Sequence, residues 1–216
     1  FPIIDKMNNG TMFLGRMIQS SSQGDFNLTN ESFCFSTKPT DVKMYRGCHV
    51  HRYYIDNEVE EYILGGYKND IVQNNIKNRY IVCQQISGMT DKRRFNVAIT
   101  KQDKCLFGNS VNKLAICRDY NPFYILAIIN SQAIDWYFRK TSTNNHVNIY
   151  ELEQLPIPKA SIEQQKPIVE LINKIMEKKQ SNSAADISML EREIDRLVYK
   201  LYNFTDGEIA VIERGN

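Results

Sequence analysis

The sequence predicts an α+β fold: a mixed or antiparallel twisted sheet domain with a buried helix, followed by a C-terminal α-helical hairpin. Short runs rich in β-branched and aromatic residues fill positions 1–120, separated by clusters of Gly, Asn, Asp and Ser such as Ser20–Asp25 and Gly65–Asp70. From Asn121 to Phe138 apolar residues recur at helical spacing and cover nearly the whole circumference of the first half, as a helix buried against a sheet requires. Beyond residue 159 two amphipathic stretches are joined by a short polar link, which forces two helices to pack side by side.

Taken in order, the strands are expected at Thr11–Ile18, Phe33–Phe35, Val42–Tyr45, Tyr62–Leu64, Tyr80–Ile86, Phe95–Thr100 and Lys113–Cys117, with a short helix at Ile71–Lys77. Asn121 is the expected N-cap of the buried helix, because Pro122 at its first position lacks only an N–H that would have no partner there. Ile125, Ile129, Ala133 and Trp136 form its stripe, and an Asn130-Ser131 step precedes the aromatic end Trp136-Tyr137-Phe138. A polar loop, Arg139–Asn148, leads to the exit Leu155-Pro156-Ile157-Pro158-Lys159. Ser161 and Gln164 make a capping box for the next helix, which Pro167 either kinks early or truly begins. Ile168, Leu171, Ile172, Ile175 and Met176 are its apolar stripe, and Gln180–Asp186 is the polar linker. Ile187, Leu190, Ile194, Leu197 and Leu201 then follow a three-four alternation, which over two heptads is intramolecular packing rather than a dimer seam. Thr205 and Glu208 offer a capping box for a terminal helix. The expected division is 1–158 for the sheet domain and 159–216 for the helical region.

A hydrophobic content of 42% and a charged content of 24% describe an ordinary folded protein. No apolar run approaches the roughly 18 residues a membrane helix needs, and no signal peptide is visible, so a cytoplasmic location and no membrane partner are expected. The chain begins Phe-Pro-Ile-Ile, which reads as a piece of a longer polypeptide. Five widely spaced cysteines (Cys34, Cys48, Cys83, Cys105 and Cys117) contain no C-x-x-C pair, so free thiols are expected rather than zinc or a disulfide framework. Residues 1–120 hold 16 Lys and Arg against 12 Asp and Glu, whereas 121–216 hold 11 against 13, which places any phosphate-facing surface mainly in the first part, plus Arg139-Lys140.

Two catalytic readings fail on their residues. Asn121-Pro122-Phe123-Tyr124 is similar to the N-P-P-Y motif of adenine-N6 methyltransferases but departs at the third position and opens an apolar helix. No Gly-rich strand-to-helix turn able to hold S-adenosylmethionine lies upstream. Glu177-Lys178-Lys179 has the residue types of a Mg²⁺ nuclease without a strand-borne Asp, so it reads as a solvated helix face. His49, His51 and His146 lack metal-ligand spacing; His49 and His51 in a strand would share one face. No catalytic, cofactor or metal residue is assigned.

Several segments together resemble a known family. Phe13-Leu14-Gly15 with Gln23-Gly24, the run Arg46-Gly47-Cys48-His49-Val50-His51-Arg52-Tyr53 (family pattern R-G-x-x-I-x-R-Y), Tyr80–Gly88, Asn109-Ser110, and above all the stretch from Asn121 to Lys159 are similar to the TaqI-like C-terminal specificity domain of type II and IIG restriction enzymes and adenine methyltransferases. The tail fits as well, with Gln164-Gln165, Glu193–Tyr199 and Leu201–Thr205. Specificity subunits of type I systems are more distant kin. The resemblance implies a bacterial domain that recognises a short sequence in double-stranded DNA and positions it for methyltransferase or nuclease domains of the same polypeptide or complex. S-adenosylmethionine and Mg²⁺ then belong to those other domains, and the helical hairpin is a spacer or docking region. Alternatives left open are half of a type I specificity subunit, a catalytic adenine-N6 methyltransferase fragment, and a protein-interaction module using the hairpin.

For DNA contact the candidates fall in groups. Lys92, Arg93 and Arg94 sit in a polar turn between two expected strands, where phosphate contact is commoner than base readout. Gln84 and Gln85 end a strand, and Asn144, Asn145 and His146 lie in the loop after the aromatic helix; Asn and Gln can bond adenine at N6 and N7. Arg46 and Arg52, with Tyr53, form another patch, although Arg52-Tyr53 reads equally as a structural pair. Lys140 joins them as a cation of the loop.

Overall fold

Period-two alternation along the central strands sorts side chains into separate cores. The computed structural model describes residues 2–88 and 90–215. The chain opens with α1 (Pro2–Asn8), β1 (Thr11–Phe13), β2 (Ile18–Gln23), β3 (Phe35–Ser36), β4 (Lys43–Tyr45) and β5 (Tyr62–Ile63). After α2 (Asn69–Lys77) come β6 (Ile81–Gln84), β7 (Val97–Ile99), β8 (Cys105–Phe107) and β9 (Val111–Ile116). Then follow α3 (Pro122–Ile129), α4 (Gln132–Thr141), α5 (Ile149–Glu153), β10 (Pro156–Pro158), α6 (Ile162–Ser181), α7 (Ser188–Leu201) and α8 (Asp206–Arg214).

One antiparallel sheet has the strand order β2-β9-β6-β7, and a second, mixed sheet has β3-β5-β4-β8, with β4 and β8 parallel. Ile81, Cys83, Val97 and Ile99 face the larger core together with the apolar residues of α3, α4, α6 and α7. The intervening Val82 and Ala98 face the other way, into a core shared with Tyr45, Cys105 and Phe107 of the second sheet. That sheet's far side, Met44, Ile63 and Leu106, packs with Phe26, Val42 and Val72 of α2. The layers therefore run helices, sheet, sheet, helix, which is the expected α+β class.

A buried ion pair ties the layers. Lys113 on β9 reaches Asp25 at 2.7 Å and the Asn75 amide oxygen of α2 at 2.6 Å, while the other Asp25 oxygen accepts from the Phe107 N–H at 2.9 Å. Gly24 just before it has φ +64°, and a Cβ there would lie 2.4 Å from the Gly108 carbonyl oxygen, so only glycine fits this approach.

The elements depart from the expected ones in specific ways. The run Thr11–Ile18 is not one strand: Leu14–Met17 forms a 3-10 turn, so β1 pairs with β10 and β2 with β9. The proline exit is thus itself a short strand, admissible because it pairs on one side only. Ser32–Cys34 is a 3-10 turn, leaving only Phe35–Ser36 as strand. β8 and α5 were not foreseen. The long aromatic helix is two: Asn130 ends α3, and the Ser131 side chain caps α4 by accepting from the Ile134 N–H. Asn121 caps α3 as expected, accepting from Phe123 and Tyr124 N–H groups. α6 starts on its Ser161–Gln164 capping box and continues through Pro167, and it extends to Ser181, which shortens the linker. Ile194 and Val198 of α7 are buried in the larger core, with Leu190, Leu197 and Leu201 packed at its margin, so the three-four seam is spent within the chain. Tyr202 donates to the Pro156 carbonyl at 2.5 Å, binding the end of α7 to β10.

Candidate nucleic-acid interface

Beyond the C-terminal end of β6, an inner strand of the first sheet, residues 85–94 meet the loop after α4, which lies 50 residues further along the chain. Beyond β6 the backbone of Gln85–Ser87 pairs with the loop after α4: Val147 N–H donates to the Gln85 carbonyl at 2.7 Å and Ser87 N–H to the Asn145 carbonyl at 3.1 Å, with Ile86 opposite His146. The result is a short antiparallel ribbon centred on one bridge and flanked at Gln85 by the Ser110 carbonyl; alternation sends Ser87 and Val147 inward, leaving Ile86 and His146 outward. The turn carrying Lys92–Arg94 closes on the same place. Gly88 N–H donates to Asp91 at 2.6 Å, and Arg139 of α4 donates to the Asp91 carbonyl at 2.6 Å.

Arg94 is the fastener of this assembly rather than a free cation. It is 1% exposed. Its guanidinium donates to Ser87 Oγ at 3.2 Å and to the Asn144 carbonyl at 2.6 Å, and it lies over the Phe138 ring at 5.0 Å. Its own N–H donates at 2.6 Å to Asp135, whose other oxygen accepts from Arg139 at 2.8 Å. Burial and the neighbouring Arg139 both act to lower its pKa, with burial the larger. The expectation that Arg94 faces DNA is therefore corrected: an arginine in a polar turn has a long enough side chain to fold back under it.

The other expected residues divide similarly. Lys92, Lys140, Asn144, Asn145 and His146 are exposed, and Gln85 is half-buried. Gln84 accepts from the Asn96 amide at 2.7 Å. Arg46 pairs with both Glu61 oxygens, at 2.6 and 3.0 Å, which holds its pKa above the usual value. It still borders the edge, because Gly47 N–H donates to Ser110 Oγ and Gln85 N–H to the Ser110 carbonyl. Lys140 lies one helix position away from Arg139, over the Trp136 ring. His49 and His51 do not share a strand face. Gly47–His49 is a 3-10 turn in which His49 Nδ1 accepts from Arg46 N–H, whereas His51 meets Asp56.

Arg52 lies away from the edge. It donates to the Asn130 carbonyl at 3.1 Å and pairs with Glu191 of α7, joining sheet, helix break and helical region. Its reading as a DNA-facing cation is corrected in favour of the structural pair with Tyr53, which is buried at φ 72°. Asp195 of α7 accepts the Gln132 N–H at 2.8 Å in the same joint, and burial pushes its pKa up to about 6 against the pull of Arg93 and Arg52. Arg93 thus belongs electrostatically to this joint. Asp135, Ser87 and Ile86 are the participants that sequence reasoning missed. An Asp inside an apolar helix was the available signal for the first.

Asn121 has its side-chain oxygen committed to the helix cap, and Tyr124 donates to the Pro158 carbonyl at 2.7 Å, so this tetrapeptide is structural. Among the described residues no group of three His, Cys, Asp or Glu side chains is placed to hold a metal, and no helix is long and apolar enough to cross a membrane.

Among solved structures, a chain from the type I R-M system, studied for its complex assembly and conformational transition, superposes with a TM-score of 0.51 at 12% identity. The match covers 88% of this chain and 45% of that one, and it shows a shared fold. The HsdS subunit from Thermoanaerobacter tengcongensis gives 0.44 at 13% identity over 93% of this chain and 50% of its own. The type IIL restriction-modification enzyme MmeI, solved in complex with DNA, gives 0.46 at 10% identity over 95% and 34%. This chain therefore spans half or less of each of these proteins. No curated protein sequence matches it. The family model of the TaqI-like C-terminal specificity domain matches residues 42–157, more than half of the chain and the whole of the gathered edge. The chain belongs to the TaqI-like C-terminal specificity domain family.

Proposed function

We propose that this chain reads a short sequence in double-stranded DNA for a restriction-modification protein and positions it for methyltransferase or nuclease domains carried elsewhere in the same polypeptide or complex. The observation that supports it is the gathering of Gln85, Lys92 and the Asn144-Asn145-His146 loop on one edge, fastened by Arg94, within a specificity-domain family. Exposed cations suit phosphate and set register, and amide side chains suit base edges. Residues 1–158 form the reader, and 159–216 act as spacer or docking region towards the catalytic domains. By itself the chain catalyses nothing; the parent is a bacterial, cytoplasmic type IIG restriction enzyme and adenine-specific methyltransferase whose other domains take S-adenosylmethionine and Mg²⁺.

Selection from a random-sequence duplex pool tests the reading. Enrichment of one short sequence supports it, and Ala at Asn144 or Asn145 then shifts the enriched sequence more than it weakens binding to random DNA. A pool that emerges as random as it entered refutes it. Calorimetric titration with S-adenosylmethionine separates the alternative, since a methyltransferase fragment binds it and a reader does not.

A further inference from the structure

We infer that the ribbon of residues 85–87 and 145–147 enters the major groove and that Ile86 recognises a base by its 5-methyl group. This rests on the reading of the chain as a DNA reader and specifies what one position of it reads. Ile86 is 54% exposed, although it follows the apolar core strand β6. It has no route inward. The backbone on either side is held by the Val147-to-Gln85 and Ser87-to-Asn145 hydrogen bonds, and the inward positions are already filled by Ser87 and Val147, 3% and 0% exposed. An aliphatic side chain is thus held in place by its paired backbone, opposite His146 and next to Gln85 and Asn145, with the exposed Asn144 adjoining in sequence.

The chemistry of that setting selects its ligand. Two paired strands about 5 Å apart fit a major groove about 12 Å wide, and in that groove the base edges offer donors and acceptors except at one apolar point, the C5-methyl of thymine. The amides of Gln85 and Asn145 beside Ile86 match the polar base edges on either side. 5-Methylcytosine carries the same methyl group at the same position, so the two bases are the two sources of this contact.

The test uses this chain and the duplex it enriches. Each thymine is replaced in turn by deoxyuridine, which removes only the methyl, and in a second arm each cytosine by 5-methylcytosine. At one position the methyl-bearing form is expected to bind about fourfold tighter, the ratio supported by burying roughly one methyl group. In Ile86→Ala that difference disappears while the salt dependence of binding is unchanged, and in Ile86→Val it persists. Indifference of the wild-type chain to methyl groups in both arms overturns the inference while leaving the DNA-reading function standing, as does an Ile86→Ala chain that keeps the full difference. Absence of any enriched sequence overturns that function and this inference together.

Discussion

Removing the Arg94 side chain should unfasten the recognition edge without removing a phosphate contact. In Arg94→Ala the buried Ser87 hydroxyl loses its donor, the Asn144 carbonyl loses a 2.6 Å bond, and the Phe138 face loses the cation above it. Hydrogen bonds from a charged donor contribute about 1.5–3 kcal/mol each, and a largely desolvated cation over an aromatic ring up to about 2 kcal/mol. The Asn144 carbonyl lies in an exposed loop and can turn to water, so its share falls at the low end. A net loss of about 3–4 kcal/mol follows, equivalent to a Tm drop of roughly 6–16 °C for a domain of this size. Chemical denaturation and thermal melting read the stability. DNA binding across a salt series reads the role: affinity should fall because the Asn144–His146 loop is released, while the slope of log K against log salt stays as in wild type. An unchanged melting temperature combined with a slope shallower by about one unit would show that Arg94 reaches phosphate, and the fastening role would be refuted.

Lys92→Ala should do the reverse, leaving stability within about 0.5 kcal/mol as exposed substitutions do and flattening the salt slope by about one unit; an unaltered slope removes this lysine from the interface. Asp195 has a folded pKa of about 6 against an ordinary 3.8. The stability from its neutral form is therefore fully present below about pH 4 and is lost as pH rises through 6. Asp195→Asn can still accept the Gln132 N–H and should abolish that decline, so pH-dependent denaturation of the variant should run flatter between pH 4 and 7 by about 3 kcal/mol; superimposable profiles would contradict the assignment. Asn121→Ala should cost about 1 kcal/mol as a lost N-cap and Asn121→Asp almost nothing, both with DNA binding retained, whereas abolished binding in the Asp variant would point to a direct role.

Much of this architecture was legible in the residues. The cap at Asn121-Pro122, the Ser161–Gln164 and Thr205–Glu208 boxes, and the three-four stripes of α6 and α7 are local signals, and local signals survive folding. Where the chain is joined by distant contacts the sequence was silent. Nothing in Leu155–Pro158 announces pairing with Thr11–Phe13, and the Gly15 turn that splits the first strand follows from that pairing. The same limit governs the site. Gln85, Lys92 and the Asn144–His146 loop were singled out as candidates by side-chain chemistry, but which cations stay outside depends on tertiary partners. Arg94 and Arg52 were drawn in by Asn144 and Glu191, 50 and 139 residues away, and such partners leave no mark on the neighbouring sequence. Ile86 was hidden for the opposite reason: as the last residue of an expected strand it carried no binding signal, and only its pairing with residues 145–147 turns it outward.

The most direct measurement is hydrogen exchange of the chain with and without its selected duplex. Slower exchange should appear at residues 84–88, 90–94 and 143–147, with 162–181 unchanged. Protection confined to the helical region, with the Ile86–His146 ribbon exchanging as it does in the free protein, would contradict the account.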